Sequence, residues 1–501
     1  MQRDLAAHRG AVPVDLLGRA RFPAVSDGPY TLTLGPHAFF WLALRPPVAA
    51  GAGRLQAGHS LQSDPPPAIV EIPGRWSDAF AAPAREALER LLPGFLATRR
   101  WFGGKARTVE AARIRDAIAM PLDGEAGEVR WTLIDVEYAD GPRELYVVPL
   151  TVSTEDRLQW QGGPAAESVL ARLRESGGGS REWLLHDAFG LDAFADAALD
   201  AVARRKTLPG AAGALRARPT RAFARLRRAD RPRLESRAMR DQSSNSVIRY
   251  ADRMLLKLVR RVDEGVNPDL EIGAFLTETA AFRHVPPVAG ALEYLVEGEE
   301  PATLGMLFGF VANEGTAWDH VLASLHDDFD AWLRRPGGTG DDGWRRPSYL
   351  GAAELLGRRT AELHLALASD AGDPRFAPEP FTSDEQRALY QALRNQSRAT
   401  FALLQRRLDA LPAAIRGDAE QALAGGKELV ERFRALIVEP IEAARIRCHG
   451  DYHLGQVLWT GDDFYIIDFE GEPARPIRQR RLKVSPLRDV AGMLRSFDYA
   501  A

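Results

Sequence analysis

A chain of 501 residues is too long for a single compact domain and predicts roughly two to four units. Its 65 basic and 68 acidic residues leave a net charge of −3, so nothing in the charge balance points to nucleic acid or an anionic membrane as a partner. Hydrophobic residues at 45% and charged residues at 27% are ordinary for a globular protein, and the single cysteine, Cys448, excludes an intrachain disulfide.

The chain opens on MQRDLAAHRG, which lacks the apolar core and cleavage site of a secretory signal. The longest apolar run, His37 to Leu44, stops at Arg45 and is too short to span a bilayer, so a cytoplasmic location is expected. Tyr30 to Leu42 predicts two strands around Gly35-Pro36. Residues 1–48 are half strand and cannot bury a core alone, so they read as the tail of a β-sandwich. Residues 49–69 are rich in Gly, Pro and Ser and predict a linker.

Phe80, Ala84, Leu88, Leu91 and Leu92 then fall at helical spacing. Trp131–Tyr138 and Glu144–Val152 predict strands joined by a hairpin at Ala139-Asp140-Gly141-Pro142. Residues 70–165 thus form a small α+β unit, while 172–180 and 205–218 read as loops from their glycines and prolines. From 166 to 312 a sheet-rich lobe is expected, with short strands at Leu234–Met239, Ser246–Tyr250 and Met254–Arg260, helix from Leu270, and strand at Thr303–Val311. Residues 313–501 predict a helical lobe, with apolar periodicity over 352–368, 384–409 and 416–437.

The chemistry concentrates in CHGDYHLGQ (448–456) and YIIDFE (465–470). Asp451 stands five residues before the amide of Gln456, and Asp468 ends a short apolar strand. Phosphoryl transfer needs a carboxylate to orient the attacking hydroxyl, and an amide plus a second acid to hold the metal. Asp451 is therefore a candidate catalytic base, or else a helix cap before Tyr452. Gln456, Asp468 and Glu470 are candidate Mg²⁺ ligands, since hard oxygen donors suit that ion. Glu470 and Glu472 also fit plain turn chemistry in Glu470-Gly471-Glu472-Pro473.

Lys257 lies in an otherwise apolar strand, where an ammonium is costly unless it meets a charge. A nucleotide phosphate and a helix carboxylate meet that need. Asn267-Pro268-Asp269 starts the next helix, with Pro at its first position, and Glu271 is the expected partner of Lys257, with Asp269 the alternative. Gln242 to Ser246 precedes the strand, so Ser244, Asn245 and Ser246 are candidates to face the phosphates, although the loop carries no glycine. Ala312, at the foot of the Thr303–Val311 strand, marks a hinge whose backbone meets adenine.

Further candidates lie around the metal loop. His453 either contacts substrate or shapes the loop, and His364 reads as a satisfied core histidine. Lys483 and Arg488, like Glu472, either bind acceptor hydroxyls or form salt bridges. Cys448 beside His449 reads as a small buried hydrophobe rather than a nucleophile.

HGDYHLGQVL, IIDFEGEP, KVSPLRDVAGMLRSFDYA, GVNPDLEIGAFLTE, FVANEGTAWD and RRWFGGKAR together resemble the maltokinase family over residues 70–501. That resemblance implies an α+β, bilobal protein-kinase-like (aminoglycoside-phosphotransferase-like) fold with an N-terminal cap subdomain, in which Arg100 to Lys105 would lie. It also implies ATP- and Mg²⁺-dependent phosphorylation of maltose at the anomeric hydroxyl, giving maltose 1-phosphate, in trehalose and glycogen metabolism. GPYTLTLGPHAFFWLAL resembles the last strands of trehalose synthase, often fused ahead of maltokinase, which makes trehalose synthase a fused or associated partner. The family continues past SFDYA, so a shortened helical lobe is expected at Ala501. Two rivals stand beside this reading: a related kinase for an aminoglycoside or choline, and a non-catalytic nucleotide-binding fragment.

Overall fold

The computed structural model describes residues 67–501 apart from 123–126, 140, 155–167, 177–180, 228–233, 240–245, 334–347 and 474; before residue 67 it describes only Val25 and short strands. These two stretches form separate units, divided at Pro66 and Pro67.

In the first unit, β1 (Gln2–Arg3) pairs with β3 (Tyr30–Thr31), and β2 (Val12–Asp15) pairs with β4 (Leu42–Arg45), both antiparallel. The two strands expected around Gly35-Pro36 thus each pair with an earlier segment. The turn itself lies outside the described residues.

The second unit begins with a mixed sheet. Its strands are β5 (Ile69–Ile72), β6 (Val109–Pro121), β7 (Glu128–Tyr138), β8 (Glu144–Ser153), β9 (Val169–Glu175) and β10 (Glu182–Asp187), in the order β5-β9-β10-β8-β7-β6. β7 and β8 form the expected hairpin. Helix α1 (Ala84–Thr98) closes one face, burying Leu88, Leu92 and Leu96 against Ile134, Val136 and Val148. The other face packs on α2 (Asp192–Ala203) through Trp131, Leu133 and Val147 against Phe194 and Ala198.

A second sheet follows: β11 (Thr207–Pro209), β12 (Ala214–Pro219), then α3 (Arg221–Arg227), β13 (Ser236–Met239), β14 (Ser246–Tyr250) and β15 (Met254–Leu258). The tiny β16 (Arg261–Val262) crosses back to pair with β8. After α4 (Pro268–Glu278) come β17 (Val288–Leu295) and β18 (Ala302–Gly309), giving the antiparallel order β11-β12-β17-β18-β15-β14-β13. Both sheets contribute to one continuous core, with Met120, Trp131 and Val147 beside Ile248, Leu256 and Leu304.

Two segments expected as loops carry strand instead: β9 runs into 172–180 as far as Glu175, and β11 and β12 occupy much of 205–218. Gly210 to Gly213 make the turn between β11 and β12, while Pro209 lies in β11. Asp116, buried in β6, fastens that turn by accepting the backbone N–H groups of Ala211, Ala212 and Gly213 at 2.9–3.1 Å.

The remainder is mostly helical: α5 (Ala317–Leu333), α6 (Leu350–Leu367), α7 (Ser383–Arg407), α8 (Ala413–Ala424), α9 (Gly426–Arg432), α10 (Ile477–Arg480) and α11 (Leu487–Ala500). The period seen over 416–437 is broken between α8 and α9 at Gly425-Gly426. β19 (Glu379–Pro380) pairs with β20 (Ala444–Arg445), and β21 (Val457–Trp459) with β22 (Phe464–Ile466). Ile272, Phe275, Leu363, Tyr452, Phe464, Ile466 and Met493 share the core beneath this hairpin. No described helix is long and apolar enough to cross a membrane.

Candidate active site

Three elements deliver the charged groups. β15 is held between β14 and β18, with Lys257 opposite Val247 and Met306. α4 begins at Asn267, whose side chain accepts the N–H of Asp269, and acids in this first turn suit the positive end of the helix. Two residues beyond the β21–β22 hairpin stands Asp468, which takes φ +66°, a left-handed conformation that costs energy unless surroundings hold it.

They meet at the Lys257 ammonium. Its Nζ lies 3.0 Å from Asp269 Oδ2, 2.5 Å from Asp468 Oδ1 and 2.8 Å from Glu470 Oε1. Gln456 Nε2 donates to Asp468 Oδ2 at 2.9 Å, and Phe469 N–H donates to Asp269 Oδ1 at 2.9 Å. Burial opposes charge on Lys257, but the three carboxylates outweigh it and hold the amine protonated well above the usual lysine range. Burial likewise opposes ionisation of Asp468, yet Lys257 holds that carboxyl below its usual value. Asp269, the most buried of the three, is pushed upward by burial.

The partner of Lys257 is Asp269, not Glu271. Residues two apart on a helix lie about 200° around its axis, so one turn cannot aim both at the same strand. Glu271 faces the other way and receives Arg447 Nη1 at 2.8 Å and Arg481 Nη2 at 3.0 Å.

The loop around Asp451 is held from behind. Asp489 accepts the N–H groups of His449 and Gly450, both at 2.9 Å, and pairs with His364 Nε2 at 3.0 Å. His364 is thus the satisfied core histidine expected, while Asp489 had carried no assigned role. His449 Nε2 lies 2.9 Å from the carbonyl oxygen of Ile467, and its ring packs on Tyr452 and Phe469. Gly450 takes φ +85°, and a Cβ there would stand 3.3 Å from Gly471 Cα, so glycine lets the two loops approach. The carboxylate of Asp451, partly exposed, takes no hydrogen bond or ion pair among the described residues. No helix begins at Tyr452, which removes the capping alternative.

The hinge candidate leaves its backbone open. Neither the N–H nor the C=O of Ala312 is hydrogen-bonded among the described residues, while Glu314 N–H donates to Trp459 O at 2.8 Å and ties the segment to β21. Ser246 is buried, and its Oγ accepts from Arg260 Nε at 2.9 Å. Ser244 and Asn245 lie outside the described residues.

The remaining candidates divide. His453 Nδ1 accepts from Gly455 N–H at 3.1 Å and so shapes the loop. Glu472 stands 3.5 Å from Arg488 and 2.7 Å from Arg475. Lys483 takes the salt-bridge alternative: it is buried and donates to Pro374 O at 2.7 Å and Glu379 Oε1 at 2.8 Å, satisfying its charge there. Cys448 is buried under the loop, and burial pushes its thiol far up.

Three carboxylates face one ammonium, an excess of two negative charges, and their oxygens lie within 4.8 Å of one another. Hard oxygen donors with surplus negative charge fit Mg²⁺. With its amide nitrogen on Asp468, Gln456 leaves its oxygen as the atom to offer a cation.

Residues 95–190 match the maltokinase N-terminal cap domain, residues 315–471 the phosphotransferase enzyme family, and residues 1–41 the maltogenic amylase C-terminal domain. A glucosamine kinase of Streptacidiphilus jiangxiensis is 27% identical over 265 residues, which are 52% of this chain and 53% of that protein. A glucosamine kinase of Mycolicibacterium smegmatis is 26% identical over 265 residues, 52% of this chain and 58% of that one. This chain therefore spans about half the length of these curated relatives. A trehalose synthase of Pimelobacter is 45% identical over 51 residues, 10% of this chain and 9% of that enzyme. A solved glucosamine kinase in complex with glucosamine, ADP and inorganic phosphate superposes with a TM-score of 0.51 at 22% identity, covering 86% of this chain and 80% of that one. Another crystal form gives 0.52 at 21% identity, covering 85% and 80%. The fold is the expected α+β kinase-like one with an N-terminal cap domain.

Proposed function

We propose, from a chain that joins a maltokinase-type cap to a phosphotransferase-family domain behind a segment of the maltogenic-amylase C-terminal type, that this protein transfers the γ-phosphoryl group of ATP to the anomeric hydroxyl of maltose, giving maltose 1-phosphate. The observation that carries the reading is the meeting of Lys257, Asp269, Asp468 and Glu470 at one point, with Lys257 and Asp468 211 residues apart in the chain.

In this reading Asp451, whose carboxylate is unengaged, orients the acceptor hydroxyl and takes its proton. Lys257, kept charged by its neighbours, holds the α- and β-phosphates, and the open backbone of Ala312 meets adenine. Asp468 and Glu470, with the Gln456 amide oxygen, would hold Mg²⁺, which neutralises phosphate charge when bound. Positioning and fixed charges supply most of the acceleration in such sites. The cap is proposed to extend to about residue 190, beyond the 165 expected from pattern, because its sheet continues to Asp187 and the family match ends at 190.

The cap match supports maltose as acceptor; the two glucosamine kinase relatives support an amino sugar instead. The basic run after the metal loop does not decide between them. Arg475 pairs with Glu472, Arg480 with Asp263, Arg481 with Glu271 and Glu300, and Lys483 with Glu379, so most of its charge is spent inside the fold.

Phosphorus NMR of mixtures of ATP, Mg²⁺ and either maltose, glucosamine, choline or an aminoglycoside tests the proposal. An anomeric sugar phosphate from maltose is expected. Transfer to glucosamine alone would move the acceptor assignment, and ADP binding without any transfer would leave only a nucleotide-binding domain.

A further inference from the structure

Glu271 has lost the role its position in α4 suggested, yet it is 3% exposed at its side chain and carries a full complement of cations. Arg447 Nη1 donates to its Oε2 at 2.8 Å, and Arg481 grips both oxygens at 3.0 and 3.2 Å. Arg375 stands further out at 4.0 Å. Burial pushes the Glu271 carboxyl up, but these guanidinium groups outweigh it and hold it below the usual glutamate value.

Arg447 is the more telling partner. Its side chain is 2% exposed, its Nε and Nη2 have no hydrogen-bond partner among the described residues, and its guanidinium lies over the Phe376 ring at 5.5 Å. Glu271 is the carboxylate recorded against it among the described residues. A buried cation with one counter-charge goes where that charge is. Arg447 is also two residues before His449 and four before Asp451.

Resting on the kinase reading above, we infer that Glu271 is a positioning residue for the catalytic loop: by fixing Arg447 it sets the front of the segment whose rear Asp489 holds, and so places Asp451. The first turn of α4 then serves both halves of the site. Asp269 sets Lys257 and the metal loop, while Glu271, on the opposite side of the same turn, sets Asp451. Movement of that turn shifts the nucleotide lysine and the base together.

The test replaces Glu271 in the full chain and reads two quantities. Glu271→Gln keeps the shape and removes the charge; Glu271→Asp keeps the charge and withdraws it by one methylene. The expected result for Glu271→Gln is a kcat lower by about tenfold or more, with ADP affinity within about twofold of wild type. Exchange of the His449 and Gly450 amide hydrogens should rise about tenfold or more. Glu271→Asp should show smaller changes in the same direction, and the double variant Glu271→Gln, Arg447→Met, which leaves no lone charge, should regain slow exchange. Wild-type exchange at 449 and 450 in Glu271→Gln, or a raised KM for ATP with unchanged kcat, would overturn the inference. Should Glu271→Gln fail to fold, wild-type exchange in Glu271→Asp would do the same. A wild-type protein that transfers no phosphoryl group would defeat the proposed function, while the exchange measurement would still decide whether Glu271 sets the loop.

Discussion

Asp269 accepts the backbone N–H of Phe469 at 2.9 Å across 200 residues of chain, with the oxygen that Lys257 does not use. One carboxylate thus sets both the strand lysine and the residue after Asp468. A carboxylate used twice in this way ties β15, α4 and the segment after β22 together at one point.

Asp451→Asn should lower kcat by orders of magnitude and leave ADP affinity within about twofold, because the side chain supports no other part of the fold. Steady-state rates with ATP and the best acceptor, beside calorimetric ADP titration, check this. Undiminished turnover would remove Asp451 from the chemistry.

Lys257→Met should destabilise the protein by about 3–5 kcal/mol, since removing one member of a buried ion cluster strands the others. Urea unfolding measures the loss. Adding Asp269→Asn should recover part of it, by removing one of the three carboxylates left facing each other.

Asp489 carries a pH dependence. Burial pushes its carboxyl up, but His364, His449 and the Gly450 N–H outweigh burial and hold it below the ordinary aspartate value of 3.8. A carboxyl depressed in the folded state adds stability that is full above 3.8 and is lost as pH falls through its lower folded value. Asp489→Asn should therefore cost stability at neutral pH and flatten the acid limb below pH 3.8 in a series of urea melts. Parallel acid limbs in wild type and variant would contradict this.

Cys448 should resist alkylation in the native protein and react readily in denaturant. Burial keeps its thiol protonated, and its Sγ approaches the carbonyl oxygens of Ile446 and Val484 at 3.7 and 3.8 Å. Mass spectrometry after iodoacetamide treatment reads the difference. Rapid native labelling would show that the loop above it opens.

Residue type and order within short segments were enough to single out the candidate site residues. Asp451, Gln456, Asp468 and Lys257 stand out because a lysine inside an apolar strand and an acid ending another need partners wherever they fold. Strands β14 and β15 and helices α6 and α7 were equally legible, since their apolar period is set by neighbours along the chain. Strands β9, β11 and β12 were not, because short strands next to glycine-rich turns take their order from distant groups such as Asp116.

Which acid meets which base was settled by closure between elements. Asp269 and Glu271 are indistinguishable by type and sit in the same helical turn. The direction α4 presents to β15 and to the segment after Ile446 assigned Lys257 to one and Arg447 to the other. Lys483 is paired with Glu379, more than 100 residues earlier, and Asp489 is recruited to the backbone of His449 and Gly450. Side-chain chemistry is local, but the pairing of buried charges depends on where helices and strands come to rest.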